Sequence, residues 1–232
     1  MNVFVNHMTA KIITVANQKG GSGKTTISMQ LAGTLGRNNK VLVIDADPQG
    51  TATRWAASAE DDKPFRARVA GLSAAGGRVH REVKKFIDDF DYIVIDCPPA
   101  VDSPVPQSAL LISDLVLVPV IPSPADLWAA TGIQKLIDNA QEINERLEAR
   151  LIANMCQPNT LLAKDSLDVL EEFGIPLATS RLHLRTAYRR SAVYGDTVHG
   201  QGSTAQQAIN EVNTLIDEVL SILHAKQKAV GE

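Results

Sequence analysis

The sequence predicts an α/β fold in which a mostly parallel β-sheet is flanked by helices on both faces. Continuous Val, Ile and Leu runs, typical of buried parallel strands, alternate along the chain with segments of helical periodicity. The first run leads into a glycine-rich loop and two others end in aspartate, and the carboxyl edge of such a sheet is where ligands bind. Because the 232 residues contain no internal repeat or linker, we expect a single domain over residues 1–232, with residues 1–9 flexible.

Five segments have the apolar composition of buried strands, and the segments between and after them have the residue spacing of helices. The predicted strands are 11–16, 40–45, 90–96, 115–121 and 150–154. The predicted helices are 25–36, 51–58, 74–89, 125–149, 161–173 and 203–228. The last helix lacks the aromatic and lysine-rich faces of a membrane-lying helix, so we expect its apolar stripe to pack in the core. Alternating strands and helices predict parallel strand pairing.

The loop after the first strand reads Lys-Gly-Gly-Ser-Gly-Lys-Thr-Thr over residues 19–26, which we call the phosphate-binding loop. Its glycines let the backbone approach phosphate oxygens closely, and the following helix directs its N-terminal dipole at them. Lys24 is expected to reach the β- and γ-phosphates and the Thr25 hydroxyl to ligate Mg²⁺. A chance glycine-rich turn is the alternative. The residues predicted to bind the nucleotide here are Gly20, Gly21, Ser22, Gly23, Lys24, Thr25 and Thr26.

The general phosphate-loop pattern requires glycine where this chain has Gln18. With its second lysine, the loop resembles that of the ParA/MinD family of P-loop ATPases, whose deviant Walker A motif reads K-G-G-x-G-K-[ST]. The resemblance covers almost the whole chain and implies ATP and Mg²⁺ as cofactors. It also implies that the ATP-bound protein is a homodimer in which Lys19 reaches the partner's nucleotide, as an arginine finger does in other enzymes.

Three aspartates at strand ends extend the resemblance. Asp96 ends the third predicted strand as a Walker B carboxylate, and we expect it to hold Mg²⁺ together with Thr25. Asp45 and Asp47 follow the second strand; the resemblance implies that Asp47 orients the attacking water and that Asp45 supports the metal. A strand-end turn at Asp47 is the alternative. The segment 97–107 resembles switch II, and its prolines are expected to prevent a helix.

Two further interpretations are less specific. Asn154, at the end of the fifth strand, matches the family position that contacts the adenine edge, although an ordinary loop asparagine explains it nearly as well. The stretch 181–190 has four arginines and no acid, which predicts non-specific binding of DNA phosphates, with a solvated surface as the alternative. The predicted DNA-binding residues are Arg181, Arg185, Arg189 and Arg190.

Composition limits the possible classes of protein. The net charge of −3 gives no overall attraction to nucleic acid. Two distant cysteines, Cys97 and Cys156, form neither a disulfide framework nor a zinc pattern. No apolar run is long enough to span a membrane, and the N-terminal residues lack the pattern of a signal peptide. We therefore expect a cytoplasmic protein without stable membrane association.

Together these features predict an ATPase that dimerises with ATP, binds nucleoid DNA non-specifically, and partitions or positions a cargo. The resemblance implies a plasmid, a chromosome, a carboxysome or another large complex as the cargo. It also implies a cargo-bound adaptor protein, ParB-like or McdB-like, that stimulates hydrolysis, and a nucleoid-associated location. A MinD-like membrane-cycling regulator is the alternative, and a P-loop small-molecule ligase has less support.

Overall fold

The computed structural model describes residues 9–99, 103–157, 170 and 174–229. Its strands are β1 (Lys11–Val15), β2 (Val41–Asp45), β3 (Arg68–Gly71), β4 (Tyr92–Asp96), β5 (Leu115–Val120), β6 (Glu148–Cys156) and β7 (Leu177–His183). They form one seven-stranded sheet in the order β3-β2-β4-β1-β5-β6-β7, and all of these pairs are parallel. The central strand β1 therefore presents its carboxyl end between those of β4 and β5.

Helices connect the strands and cover the sheet. They are α1 (Lys24–Leu35), α2 (Thr51–Ala57), α3 (Val79–Val83), α4 (Pro104–Leu110), α5 (Pro124–Gln141), α6 (Thr186–Val193) and α7 (Gln206–Ala229). Two 3₁₀ segments, Ser73–Arg78 and Val198–Ala205, precede α3 and α7. Within the described ranges, no helix has both the length and the apolar character needed to cross a bilayer.

Each face of the sheet has its own apolar core, because successive side chains of a strand point to opposite sides. In β1, Ile12 belongs to one core and Ile13 to the other. Residues of α3, α4 and α5 complete the first core, and residues of α1, α2 and α7 complete the second. A parallel sheet needs such cover on both faces. The predicted fold class is confirmed.

The apolar stripe of the last helix packs in the second core, as predicted. Its members there are Ile209, Val212, Ile216, Val219 and Leu223. Their alternation with exposed polar residues is the pattern of a helix that covers a sheet.

Two strands were not predicted from the sequence. β3 is a short edge strand without an apolar run, and its terminal residues Arg68 and Gly71 are exposed. β7 lies at the other edge, and only alternate residues along it are buried. Both therefore lack the continuous apolar signal on which the five predicted strands depended.

Two predicted helices are shorter than expected. The helix predicted over 125–149 ends at Gln141, and β6 already begins at Glu148. Buried Asn144 fixes the turn between them, since its Nδ2 donates to the carbonyls of Leu110 and Ser113 at 2.9 and 2.8 Å. The segment predicted over 74–89 has only α3 as regular α-helix after its 3₁₀ turn. The helix predicted over 161–173 lies outside the described residues except for Leu170.

The expectation that prolines keep 97–107 from forming a helix is wrong, because α4 begins at Pro104. Pro104 and Pro106 occupy the first turn, where the backbone N–H groups have no partner within the helix, so the missing donors cost nothing. Ser103 caps the helix, and its hydroxyl accepts a hydrogen bond from the Val105 amide at 3.3 Å. Proline therefore starts this helix.

Candidate nucleotide-binding site

The phosphate-binding loop joins β1 to α1 at the carboxyl edge of the sheet. Gly21 and Gly23 have φ angles of +75° and +91°, which glycine adopts without strain. A Cβ at Gly23 would collide with the side-chain amide of Asn154. The Nδ2 of Asn154 donates a hydrogen bond of 2.8 Å to the Ser22 carbonyl. Asn154 therefore supports the loop from β6; contact between Asn154 and an adenine stays a prediction.

Asn17, which was not among the predicted site residues, anchors the start of the loop. Its buried side chain donates to the Pro119 carbonyl at 2.7 Å and accepts from the Lys19 amide at 3.1 Å. The loop is thus tied to β5 as well as to β6. The sequence signal for this role is a polar side chain that follows a buried apolar run shortly before the glycines.

Lys24 is enclosed by the loop. Its side chain is 6% exposed, and Nζ donates to the Lys19 carbonyl at 3.0 Å. Burial lowers the pKa of Lys24, whereas the nearby carboxylates of Asp96 and, more weakly, Asp47 raise it. The ammonium group therefore points inward, as required of a lysine that meets a phosphate held in the loop. Lys19 is half-buried at the start of the loop.

Asp96 lies buried at the end of β4 and accepts two hydrogen bonds from hydroxyl groups. Thr25 Oγ1 donates to Oδ2 at 2.7 Å, and Ser28 Oγ donates to Oδ1 at 3.0 Å. Burial raises the pKa of Asp96 to about 7, although both hydrogen bonds act to lower it. A cation beside the carboxylate would favour its charged form. A threonine hydroxyl next to a carboxylate supplies the oxygen ligands that Mg²⁺ prefers.

Of the other two aspartates, Asp45 ends β2 and Asp47 follows it. Asp45 pairs in register with Asp96 on the neighbouring strand, and its buried Oδ1 has no hydrogen-bond partner, which a hydrated cation would provide. Asp47 stands in a tight turn, where it accepts hydrogen bonds from the Gln49 and Gly50 amides at 2.8 and 2.9 Å. In the described ranges, no group of three or more His, Cys, Asp and Glu could hold a metal. The oxygen atoms of Thr25, Asp96 and Asp45 fit a Mg²⁺ ion that takes its remaining ligands from phosphate and water.

α2 leads from this turn toward the arginine stretch. Trp55 of α2 is buried, and its Nε1 donates to the Asp196 carbonyl at 3.1 Å. The Asp196 carboxylate lies 3.6 Å from Nζ of Lys63, which follows α2. Since Asp196 comes directly after α6, α2 joins the aspartate turn to the region that carries the arginines.

A cavity of about 320 Å³ opens beside the phosphate-binding loop. Its walls come from the first turn of α1, from α2, from the end of β6 and from the connection between β7 and α6. Residues on these walls include Thr25, Thr26, Asn154, Leu184, Arg185 and Arg189. A ligand with phosphates in the loop would extend its remaining part into this cavity.

The four arginines do not share one environment. Arg181 on β7 and Arg189 and Arg190 on α6 are exposed. Arg185 precedes α6 and is held by Glu211 of α7, to which its Nε and Nη2 donate at 2.8 and 2.7 Å. The stretch 181–190 contains no acid, but Glu211, which follows later in the sequence on α7, pairs with Arg185. Arg185 and Arg189 line the same cavity beside the loop.

Both cysteines are buried free thiols. Burial raises the pKa of Cys97 and of Cys156, so little thiolate is present at neutral pH. Cys97, next to Asp96, packs in the first core.

Comparisons with known proteins agree with this geometry. The model of the CobQ/CobB/MinD/ParA nucleotide binding domain matches residues 13–198. Maintenance of carboxysome distribution protein A of Halothiobacillus neapolitanus is 34% identical over 210 residues, which cover 90% of this chain and 95% of that protein. Sporulation initiation inhibitor protein Soj of Bacillus subtilis is 28% identical over 201 residues, which cover 70% and 78% of the two chains.

Among solved structures, the ATP complex of a McdA variant from Cyanothece matches with a TM-score of 0.74 at 17% identity, over 97% of each chain. At this identity the likeness concerns the fold alone. The family model and the relative at 34% identity together show that this chain belongs to the CobQ/CobB/MinD/ParA family of nucleotide-binding domains, as its resemblance to ParA and MinD predicted.

Proposed function

We propose that this protein is a Mg²⁺-dependent ATPase of the ParA type that positions a large cargo, with the carboxysome as the leading candidate. The observation that carries the ATPase proposal is the hydrogen bond of Thr25 to buried Asp96, next to the inward-pointing Lys24. The cargo proposal is supported by the relative from Halothiobacillus neapolitanus, whose name assigns it to carboxysome distribution.

The residues of the site divide the chemistry among them. Thr25 and Asp96 would hold Mg²⁺, which would neutralise phosphate charge when bound. Lys24 would stabilise the charge that develops on the transferred phosphoryl group. Asp47 would orient the attacking water from its turn after β2. Asp47 is held only by the nearby amides of Gln49 and Gly50 among the hydrogen bonds described, so a partner would act on the site by rearranging this turn.

Lys19 would act on a second molecule. In the described structure its backbone is fixed through Asn17, while Lys24 already occupies the interior of its own loop. A second cation at the same triphosphate is then best supplied by a sister subunit, which makes the ATP-bound form a homodimer with two enclosed nucleotides.

Dimerisation would also control DNA binding. Arg181, Arg189 and Arg190 are exposed on each subunit, and a dimer would present two sets of these cations on one support. Two linked weak sites bind a long polyanion far more tightly than one. Arg185 contributes less charge to this surface, because Glu211 pairs with it.

A cargo-bound adaptor protein would stimulate hydrolysis and release the ATPase from the nucleoid. The membrane-cycling alternative is disfavoured by α7, whose apolar stripe is used for the core. An amphipathic membrane anchor needs that stripe exposed.

The Lys19→Ala variant tests the dimer. We expect sedimentation velocity to show wild-type dimers with Mg²⁺ and a non-hydrolysable ATP analogue, and monomers for Lys19→Ala under the same conditions. Lys40→Ala is the matched control, because Lys40 is an exposed lysine at the opposite edge of the sheet.

Two results would contradict the proposal at different levels. Dimers that persist in Lys19→Ala would remove the bridging role but leave the ATPase. Failure of the wild-type protein to bind Mg²⁺–ATP in calorimetry would overturn the function itself.

A further inference from the structure

The helix α2 has no capping side chain of its own. Gly50 precedes it with a φ of +61°, and no side chain at that position accepts a hydrogen bond from the first turn. Instead, the carboxylate of Asp45 at the end of β2 serves this purpose. Its Oδ2 accepts from the amide of Thr53 at 2.8 Å and from the Thr53 hydroxyl at 2.7 Å. The first turn of α2 is therefore fastened to the sheet by one carboxylate oxygen.

The two oxygens of Asp45 have different surroundings. Asp45 is 1% exposed, and while Oδ2 receives both bonds from Thr53, Oδ1 is buried without a partner. The Asp45 carbonyl is engaged as well, since it accepts from the Leu72 amide at 2.8 Å. Leaving one oxygen of a buried carboxylate without a donor is costly unless another group serves it. The proposed metal site is the candidate partner for Oδ1, because Asp96 of that site is the register partner of Asp45.

We propose that Thr53 is a positioning residue for the nucleotide site, which fixes Asp45 through Oδ2 and thereby leaves Oδ1 to the hydrated Mg²⁺. The same contact holds both ends of the segment between β2 and α2, in which Asp47 lies. The role assigned to Mg²⁺ and Asp47 rests on the proposed function, whereas the fastening of α2 to Asp45 does not.

This arrangement predicts which kinetic constants depend on Thr53. Lys24, the proposed phosphate ligand, and Thr25, a proposed Mg²⁺ ligand, have no hydrogen bond with Thr53 among those described. Loss of the Thr53 hydroxyl would loosen the segment that carries Asp47 without removing a phosphate ligand. We therefore expect kcat to fall by about tenfold or more, while the affinity for ATP in the absence of Mg²⁺ changes less than about twofold.

Amide hydrogen exchange of the nucleotide-free protein tests the fastening directly. Thr53→Val keeps the shape of the side chain and loses the donor, and we expect exchange in the peptide that covers α2 to rise about tenfold, the effect of losing one hydrogen bond to a charged group. Thr53→Ser restores the donor and should restore both exchange and kcat. Ser58→Ala, which removes a hydroxyl from the other end of α2, is the matched control and should leave exchange in the first turn unchanged.

A second probe reports on Mg²⁺. The chain has two tryptophans, so Trp128→Phe leaves Trp55 as the source of tryptophan emission. In this background, the emission of buried Trp55 on α2 should respond to Mg²⁺ added with an ATP analogue. Thr53→Val should shift the midpoint of the Mg²⁺ titration upward by about tenfold, whereas Thr53→Ser should leave it unchanged.

The outcomes separate the two proposals. Unchanged exchange of α2 in Thr53→Val would overturn the positioning role even if the enzyme hydrolyses ATP normally. Raised exchange with an unchanged Mg²⁺ midpoint would overturn the link from Thr53 to the metal. A wild-type protein that does not bind ATP would instead overturn the proposed function, and the exchange experiment would still decide whether Asp45 and Thr53 fasten α2.

Discussion

The phosphate-binding loop and the arginine stretch both carry positive charge, but the fold places these charges in opposite environments. Lys24 is enclosed, with its ammonium group fixed by a backbone carbonyl and facing Asp96. Arg189 and Arg190 extend into water from α6. A fixed, desolvated charge acts strongly at one point, whereas mobile exposed charges adapt to any array of phosphates. The first environment suits chemistry on a single phosphate, and the second suits binding without sequence preference.

Arg185 is the exception that sharpens the contrast. Although it belongs to the arginine stretch, it is fixed like a residue of the loop by hydrogen bonds to Glu211 and to Gln207. His183 and Tyr188 donate to the same Glu211 carboxylate. Glu211 of α7 therefore holds β7 and α6 together through His183, Arg185 and Tyr188, and the contribution of Arg185 to the proposed DNA-binding surface would be reduced.

The largest effect, on the rate of ATP hydrolysis, is expected at the enclosed ammonium group of Lys24. Lys24→Ala should lower kcat for ATP hydrolysis by about 10²–10³-fold, because a preorganised donor is lost where charge develops. Steady-state phosphate release measures this. Lys24→Arg serves as a second variant that keeps the charge but not its compact shape; hydrolysis at wild-type rates in Lys24→Ala would remove the loop from catalysis.

An intermediate effect, on stability, is expected at Glu211, which fixes Arg185 of the arginine stretch. Burial acts to raise the pKa of Glu211, but hydrogen bonds from Arg185, His183 and Tyr188 outweigh it and lower the pKa from its ordinary value of 4.5. A lowered folded-state pKa gives stability that is present above the unfolded-state value and is lost as pH falls through the folded-state value. Glu211→Gln should therefore cost about 1.5 kcal/mol of unfolding free energy at pH 7.

The difference between Glu211→Gln and wild type should shrink below about pH 4.5, where the unfolded carboxyl becomes protonated. Urea denaturation at pH 7 and at pH 4 measures both values. Glu145→Gln changes an exposed acid and is the control. A cost that stays the same at both pH values would show that the carboxylate charge does not provide the stability.

The smallest effect is expected at the exposed charges. Arg189→Ala combined with Arg190→Ala should weaken DNA binding by the ATP-bound protein several-fold at low salt and lower the slope of log K against log salt by about 2 per subunit. Fluorescence anisotropy with duplexes of two unrelated sequences measures this. Arg78→Ala combined with Arg81→Ala removes the same charge from the α3 side and should change neither value; equal losses in both double variants would leave only net charge as the cause.

The sequence predicted the centre of the molecule better than its edges. β1, β2, β4 and β5 are buried on both faces, so their composition alone indicates strands. The loop residues Gly21, Gly23, Lys24 and Thr25 could be predicted because their motif is contiguous in the sequence. β3 and β7 have only one neighbour each in the sheet and half-exposed patterns that resemble loops.

Residues whose partners are distant in sequence could not be predicted. Asn17 meets Pro119, 102 positions away, and Glu211 meets Arg185, 26 positions away. The role of Thr53 could not be predicted from the pattern of its own short helix, because its hydroxyl donates to Asp45 of the strand before the turn. The prolines of α4 show the converse error: a residue preference was applied without its position in the helix.

The indole hydrogen bond of Trp55 has a mechanical consequence. It connects α2, the helix that follows Asp47, to the segment that follows the exposed arginines Arg189 and Arg190. A displacement of α2 must either break the hydrogen bond from Trp55 to the Asp196 carbonyl or move the segment around Asp196 with it. Under the proposed function, a change that begins at one phosphate would then reach the segment after the exposed arginines through the Trp55 indole.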